Sequence, residues 1–243
     1  MKKILTYILK PFSKINIVLL LILASSCSDK GKEFKAVFGQ KYIDAENYID
    51  NNNWIKDTLA RYGVDPDLAI SVIFPELIRY SAMKDLVETH SLEVLYTQYG
   101  SKYADFSIGR FQMKPSFAIH LENDWNLLPL NLPLKGIIKP FNISDDPKAR
   151  MQRIMRLKDE KWQVRYLAIF FTIFNAKYKM SLNCPEQELS FIASAYNSGY
   201  WHDSTTIERM RKLNYFYTGL IKGNEVYNYS EISEYYYKKK CRK

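Results

Sequence analysis

The chain has 243 residues, 47% of them hydrophobic and 25% charged, with a formal net charge of +9. This length fits one domain with extensions or at most two small domains, and the composition is ordinary for a globular protein with a proper core. The basic excess does not indicate a nucleic-acid-binding protein, because the sequence has no helix-turn-helix signal, zinc-finger spacing or dense arginine stripe. It would favour attraction to an anionic polymer.

The first 26 residues are typical of a secretory signal peptide rather than of a folded segment. Four lysines lie within residues 1–15, and a short, mostly apolar run follows over residues 16–24. That run is too short to span a bilayer comfortably, and it leads into small residues at positions 24–26. Removing this segment would take the formal net charge from +9 to +5.

Cys27 directly follows the small residues of the signal. This arrangement resembles a bacterial lipoprotein signal, in which the peptide is cut before a cysteine that is then acylated, although Ala24 replaces the usual leucine. The resemblance implies a membrane anchor at Cys27 and a location in the cell envelope, facing the periplasm or the cell surface. The alternative is ordinary secretory cleavage with Cys27 as a bystander. Export would also permit a disulfide between Cys184 and Cys241, which the sequence leaves open.

Helix signals dominate the rest of the chain, so we predict a mainly α domain with at most a small β element. Residues 28–40 are polar and predict a tether. The tail at residues 235–240, three tyrosines and three lysines, predicts a solvated, frayed end, with contact to the wall or membrane as the alternative. A short β-tolerant segment lies at 107–113, and three prolines predict a long loop over 126–144. Predicted helices cover residues 41–62, 65–76, 83–98, 115–124, 145–158, 162–179 and 185–196, with a last helix or two between 204 and 240.

Glu76 is the leading candidate for a catalytic acid. It closes the segment 64–76, in which residues 68–74 are nearly all apolar, and Leu77 and Ile78 follow it. A glycosidase acid must be a carboxyl held neutral near pH 7, which requires apolar surroundings that raise its pKa. The alternative is that Glu76 is a paired or exposed helix residue without a catalytic role.

Two further motifs accompany the Glu76 stretch: Gly109 to Met113, and Ser194 to Gly199, which reads Ser-Ala-Tyr-Asn-Ser-Gly. In order and residue type, the three resemble the lytic transglycosylases with a soluble-transglycosylase catalytic domain, relatives of goose-type lysozyme. The resemblance covers about residues 54–215. It implies an α-rich, lysozyme-like fold with a deep cleft, Glu76 as acid and base, and substrate contacts from Gln112, Met113, Tyr196 and Asn197.

The same resemblance implies cleavage of peptidoglycan glycan strands between MurNAc and GlcNAc, with 1,6-anhydro-MurNAc ends and no cofactor. Two features depart from the family pattern. Leu77 stands where the family has a serine, and the interval from Glu76 to Gln112 contains about one extra helix. Leu77 therefore keeps open a non-catalytic, peptidoglycan-binding lipoprotein.

A hydrolytic lysozyme is the other alternative, and it would need a second carboxylate to position water. Asp105 is the nearest candidate, although it could instead be a turn residue that caps its own backbone. His90, His120 and His202 lack metal-ligand spacing, so we predict no metal site and place them at the surface or an interface.

The predicted organisation has four parts. Residues 1–26 are the lipoprotein signal, and residues 27–53 are the lipidated N-terminus, the tether and the start of the first helix. Residues 54–215 form the transglycosylase domain, and residues 216–243 form a helical basic tail.

Overall fold

The computed structural model describes residues 33–83, 89–179, 185–218 and 225–241. The predicted lipidation site Cys27, the predicted signal peptide and Cys184 lie outside these residues. Within them no helix is both long and apolar enough to span a membrane. The described helices are α1 (Phe34–Phe38), α2 (Gln40–Asp50), α3 (Trp54–Arg61), α4 (Pro66–Met83), α5 (Thr89–Tyr99), α6 (Pro115–Leu127), α7 (Pro133–Ile137), α8 (Pro147–Lys158), α9 (Glu160–Tyr178), α10 (Pro185–Ser198), α11 (Ser204–Arg211) and α12 (Tyr229–Cys241).

The mainly α fold class is confirmed, with a small β element. Strands β1 (Phe216–Tyr217) and β2 (Val226–Tyr227) pair antiparallel. An isolated bridge joins Ile108 to Met113 within the predicted β-tolerant segment. The hairpin was not predicted, although its aromatic and β-branched residues are typical of strands.

Helix α4 is the central element and carries Glu76. It packs against α2, α3, α10 and α12, and the residues from Leu68 to Ile78 are buried throughout. The prediction that this helix ends at Glu76 is wrong, because α4 continues through Pro75 to Met83. A proline interrupts one helical hydrogen bond, but the burial of Leu77 and Ile78 beyond it favours continuation of the helix.

The C-terminal segment is not a frayed, solvated end, contrary to prediction. Tyr229, Ile232 and Tyr236 are all buried on one face of α12. The Tyr236 ring stacks on Phe74 of α4 at 3.7 Å between centroids, with an interplanar angle of 15°. The lysines at 238–240 occupy the last turn, where positive charge favours a helix end.

Three other predicted boundaries are also wrong. The predicted tether contains α1, whose Phe34 and Phe38 are buried, and the predicted loop over 126–144 contains α7. The predicted helix over 41–62 is divided into α2 and α3 at residues 51–53, which are three asparagines. Asparagine side chains compete with the helix for backbone hydrogen bonds, so the chain turns there.

A second group of helices, α6, α8 and α9, is joined by a buried ion-pair network. Glu122 of α6 is fully buried and pairs with Arg153 at 2.9 Å and with Arg156 at 2.8 Å, both from α8. Tyr166 of α9 donates its hydroxyl proton to the same carboxylate. The network fixes the position of α6. It therefore also fixes the point where the Gly109–Met113 segment joins this helix.

Gln163 of α9 holds the Gly109–Met113 segment in place. Its Oε1 accepts from the Phe111 amide at 2.8 Å, and its Nε2 donates to the Leu157 carbonyl. Gly109 adopts φ +69°, and a Cβ there would lie 1.5 Å from Gln163 Nε2 and 2.8 Å from the Leu157 oxygen. The segment therefore requires glycine at this position, both for the backbone conformation and for the close approach.

We predict that Gly109→Ala lowers the free energy of unfolding by about 2 kcal/mol or more, through the left-handed backbone and the clash with Gln163. Gly136→Ala in α7 is the matched control, because a Cβ at that position would have no neighbour within 4 Å and the φ there is not positive. That control should be neutral or slightly stabilising. Urea denaturation of both variants checks this, and equal effects would contradict it.

Candidate active site

A cleft of about 310 Å³ lies between helix α4 and the start of α6. Its walls come from α4, from the segment between α5 and α6, from the end of α10 and from β1. It collects Glu76, Gln112, Met113, Tyr196 and Asn197, five residues selected from the sequence for catalysis or binding, together with Asp105. Three separated motifs thus meet in one place.

Burial dominates the electrostatics of Glu76, which is 3% exposed. Loss of water raises the pKa of its carboxyl from 4.5 to about 7, while the positive charges of Arg79 and Lys114 act to lower it. A carboxyl with a pKa near 7 is in part protonated at neutral pH. It can therefore donate a proton as a general acid and accept one later.

Arg79 lies beside Glu76 one helical turn onward. Its Nη2 is 2.9 Å from Glu76 Oε2, yet this oxygen accepts no hydrogen bond of good geometry. The short distance therefore does not amount to an aligned hydrogen bond. Since hydrogen-bond strength falls steeply with misalignment, Arg79 acts on Glu76 mainly as a nearby charge.

Two buried tyrosines near Glu76 donate their hydroxyl protons to backbone carbonyls. Tyr196 of α10 donates to the Phe111 carbonyl at 2.8 Å, and Tyr229 of α12 donates to the Val72 carbonyl at 2.9 Å. Burial, followed by the negative charge of Glu76, raises the pKa of both hydroxyls well above the usual value. Both therefore remain neutral donors. Tyr229 was not singled out from the sequence.

Gln112 and Asn197 each have hydrogen-bonding capacity that the protein does not fully satisfy. Gln112 has φ +50°, and its Nε2 donates to the Gly109 carbonyl at 2.8 Å. Its Oε1 and the Nδ2 of Asn197 are buried and make no hydrogen bond of good geometry, although the Asn197 side chain lies near the Tyr215 hydroxyl and acts to lower its pKa. One is an acceptor and the other a donor, and a buried polar group without a partner costs free energy, so the pair is suited to a ligand.

Asp105 lines the cleft, but its carboxylate is engaged. Oδ1 accepts from the Ser116 amide at 2.9 Å and Oδ2 from the Ser116 hydroxyl at 2.8 Å. Ser116 lies in the first turn of α6, so Asp105 caps that helix from a distance rather than capping its own turn. The hypothesis that Asp105 is a turn residue that caps its own backbone is therefore wrong, because the backbone that it caps belongs to α6.

Met113 and Trp201 supply apolar surface. Met113 is buried and contributes to one wall. The half-buried Trp201 contributes to another, and its ring stacks on His120 at 4.1 Å with an interplanar angle of 15°. Gly199 permits this arrangement, because a Cβ there would lie 2.6 Å from the Trp201 ring. Trp201 and the cleft residues Arg79 and Tyr215 were missed from the sequence, since only the fold brings them to Glu76.

The described residues bring together no group of three or more His, Cys, Asp or Glu side chains that could hold a metal ion. Neither family models, nor curated proteins, nor solved structures gave a match to this chain. The residues of the cleft therefore carry the functional argument.

We predict that Glu76→Gln stabilises the protein at high pH. With an unfolded pKa of 4.5 and a folded pKa of about 7, the folded state holds a proton that the unfolded state releases between these values. Wild-type stability therefore falls as pH rises through this window, by about 3 kcal/mol at most for a pKa raised from 4.5 to about 7. The variant lacks this loss.

Unfolding free energies at pH 4 and pH 8 check the prediction. The advantage of Glu76→Gln over wild type should be larger at pH 8. Glu208→Gln is the control, because the Glu208 side chain is 44% exposed and no comparable gain is expected. An equal advantage of Glu76→Gln at both pH values would show that burial does not raise the pKa of the Glu76 carboxyl.

Proposed function

We propose that this protein is a membrane-anchored lytic transglycosylase, which cleaves peptidoglycan glycan strands between MurNAc and GlcNAc and leaves 1,6-anhydro-MurNAc ends. The observation that carries the proposal is the buried carboxyl of Glu76, with its pKa near 7, on the wall of a cleft. A carboxyl in this environment is the group that glycosidic cleavage requires.

The unpaired atoms of Gln112 and Asn197 favour an acetamido sugar as the substrate. An acetamido group offers one N–H donor and one carbonyl acceptor. Gln112 Oε1 can accept from the first, and Asn197 Nδ2 can donate to the second. Both sugars of peptidoglycan carry this group, and Trp201 offers an aromatic edge for a sugar ring.

In the proposed reaction Glu76 donates its proton to the glycosidic oxygen as the C1–O4 bond breaks. The bond that breaks joins C1 of MurNAc to O4 of GlcNAc. The 6-hydroxyl of this MurNAc attacks its own C1 and forms the C1–O6 bond, and the hydroxyl proton passes to the Glu76 carboxylate. The proton balance closes and no water is consumed. One carboxyl is sufficient, and Glu76 ends the cycle protonated.

A hydrolytic lysozyme would use water and a second carboxylate. Asp105 is the candidate in the cleft, but both its oxygens already accept hydrogen bonds from Ser116. This engagement favours the transglycosylase over the hydrolase.

We predict that Glu76→Gln abolishes the release of anhydro-muropeptides from purified sacculi, as measured by mass spectrometry. General acid–base catalysis contributes about 10²–10⁴-fold, and a sole carboxyl should account for the upper end. The variant should still bind sacculi through Gln112 and the aromatic walls. Cutting at the wild-type rate would remove Glu76 from the mechanism.

Asp105→Asn is the matched control. In a transglycosylase it should cost little activity and about 1 kcal/mol of stability, through a weakened cap of α6. A severe loss of activity in both variants, together with hydrolysed rather than anhydro ends in the wild-type digest, would establish the lysozyme. A wild-type protein that binds walls of several kinds without cutting them would leave the non-catalytic, peptidoglycan-binding lipoprotein.

The membrane anchor is supported by the sequence pattern before Cys27. Each buried CH₂ of an acyl chain contributes about 0.8 kcal/mol, so several chains would hold the protein on a membrane. We predict that the wild type partitions into the detergent-extracted membrane fraction and that Cys27→Ser does not carry lipid, as intact-mass analysis would show. A soluble wild-type protein with an unmodified N-terminus would refute the anchor.

A further inference from the structure

Leu77 cannot hold the Glu76 carboxyl. It is 3% exposed and lines a small pocket with Tyr48 and Arg110, away from the cleft that contains Glu76. Successive residues of an α-helix point about 100° apart, whereas residues three apart share a face. Position 79, not position 77, is therefore placed to support the acid.

Arg79 occupies that face and joins two sides of the cleft. Its Nη2 lies 2.9 Å from Glu76 Oε2 and donates to Ser107 Oγ at 3.1 Å. Ser107 belongs to the segment between α5 and α6, so the guanidinium links α4 to the opposite wall. The Arg79 side chain is only 21% exposed.

The hairpin fixes the guanidinium from a third direction. The Arg79 Cζ lies 5.3 Å from the centroid of the Phe216 ring, within the range of a cation–π contact. Its Nε is buried and has no hydrogen-bond partner. The position of the group is thus set by contacts with Glu76, Ser107 and Phe216, and not by a network that neutralises its charge.

We propose that Arg79 is a positioning residue for Glu76: with Ser107 as its tether, it holds a fixed positive charge beside the carboxyl, and this charge stabilises the carboxylate that forms when the proton is donated. This inference rests on the proposed function for its catalytic consequence, but not for the effect of Arg79 on Glu76. Burial alone would make Glu76 a weaker acid, because it raises the pKa of the carboxyl. A fixed positive charge nearby opposes this rise.

Other groups around Glu76 set the background against which Arg79 acts. Lys114, from the segment before α6, is exposed and adds a weaker positive influence. Tyr196 of α10, Tyr215 before β1 and Tyr229 of α12 face the carboxyl as neutral hydroxyls. Among these groups Arg79 is the largest opposing influence on the burial of Glu76.

The test compares the titration of Glu76 with the pH profile of cutting. Side-chain ¹³C NMR follows the carboxyl directly and needs no turnover. Arg79→Met should raise the pKa of Glu76 by about 1 unit or more, since an adjacent opposite charge has roughly that effect. The alkaline limb of kcat/KM, which reports the protonated acid in the free enzyme, should move to higher pH by the same amount, and kcat should fall at least about tenfold.

Three further variants separate positioning from a general loss of structure. Arg79→Lys should restore most of the titration but only part of kcat, because an ammonium keeps the charge without the planar fork. Ser107→Ala should lower kcat while KM changes little. Arg211→Met is the matched control, because Arg211 pairs with Glu208 at the same three-residue spacing, outside the cleft; it should change neither readout.

An unchanged Glu76 titration in both Arg79 variants would overturn the inference, as would a loss of thermal stability with unchanged titration and pH profile. If Arg79→Met does not fold, Arg79→Gln, which removes the charge but keeps hydrogen-bonding groups, takes its place in the same two readouts. A shifted titration in a protein whose wild type cuts no glycan would support the action of Arg79 on Glu76 and refute the proposed function instead.

Discussion

A carboxyl group removed from water must lose its charge or gain a partner, and Glu76 does some of each. Helix α4 packs against α2, α3, α10 and α12, and Glu76 is only 3% exposed. Burial raises its pKa to about 7, and Arg79 opposes the rise. The remaining features of the cleft are arranged around this balance.

The core and the cleft share the same supports. Tyr229, at the start of α12, donates to the carbonyl of Val72, one turn before Glu76, while Tyr236 stacks on Phe74 of the same helix. On the other side, Gln163 holds the segment that presents Gln112, and Tyr196 donates to that segment from α10. Residues that stabilise the fold therefore also fix the geometry of the cleft, which is what preorganised catalysis requires.

Sequence reasoning found much of the cleft because its motifs carry local signals. The apolar stretch before Glu76 predicts burial, and Gly109 and Gly199 mark positions where a Cβ would clash with Gln163 or Trp201. It failed where a local signal conflicted with tertiary packing. The helix of Glu76 was predicted to end at residue 76 and the tail with the lysine run was predicted to be frayed, yet Leu77 and Tyr236 are buried. The spacing of Tyr229, Ile232 and Tyr236 did carry a helical signal for α12, whereas the contact between Arg79 and Ser107 depends on the fold alone.

The structure of Glu76→Gln with a bound N-acetylated tetrasaccharide tests the central claim most directly, since the variant should retain the substrate uncut. The account predicts a glycosidic oxygen within about 3 Å of the side chain at position 76. It also predicts that the neighbouring acetamido group donates to Gln112 Oε1 and accepts from Asn197 Nδ2. A sugar chain seated elsewhere, or one in this cleft with every glycosidic oxygen beyond hydrogen-bond reach of position 76, would contradict it.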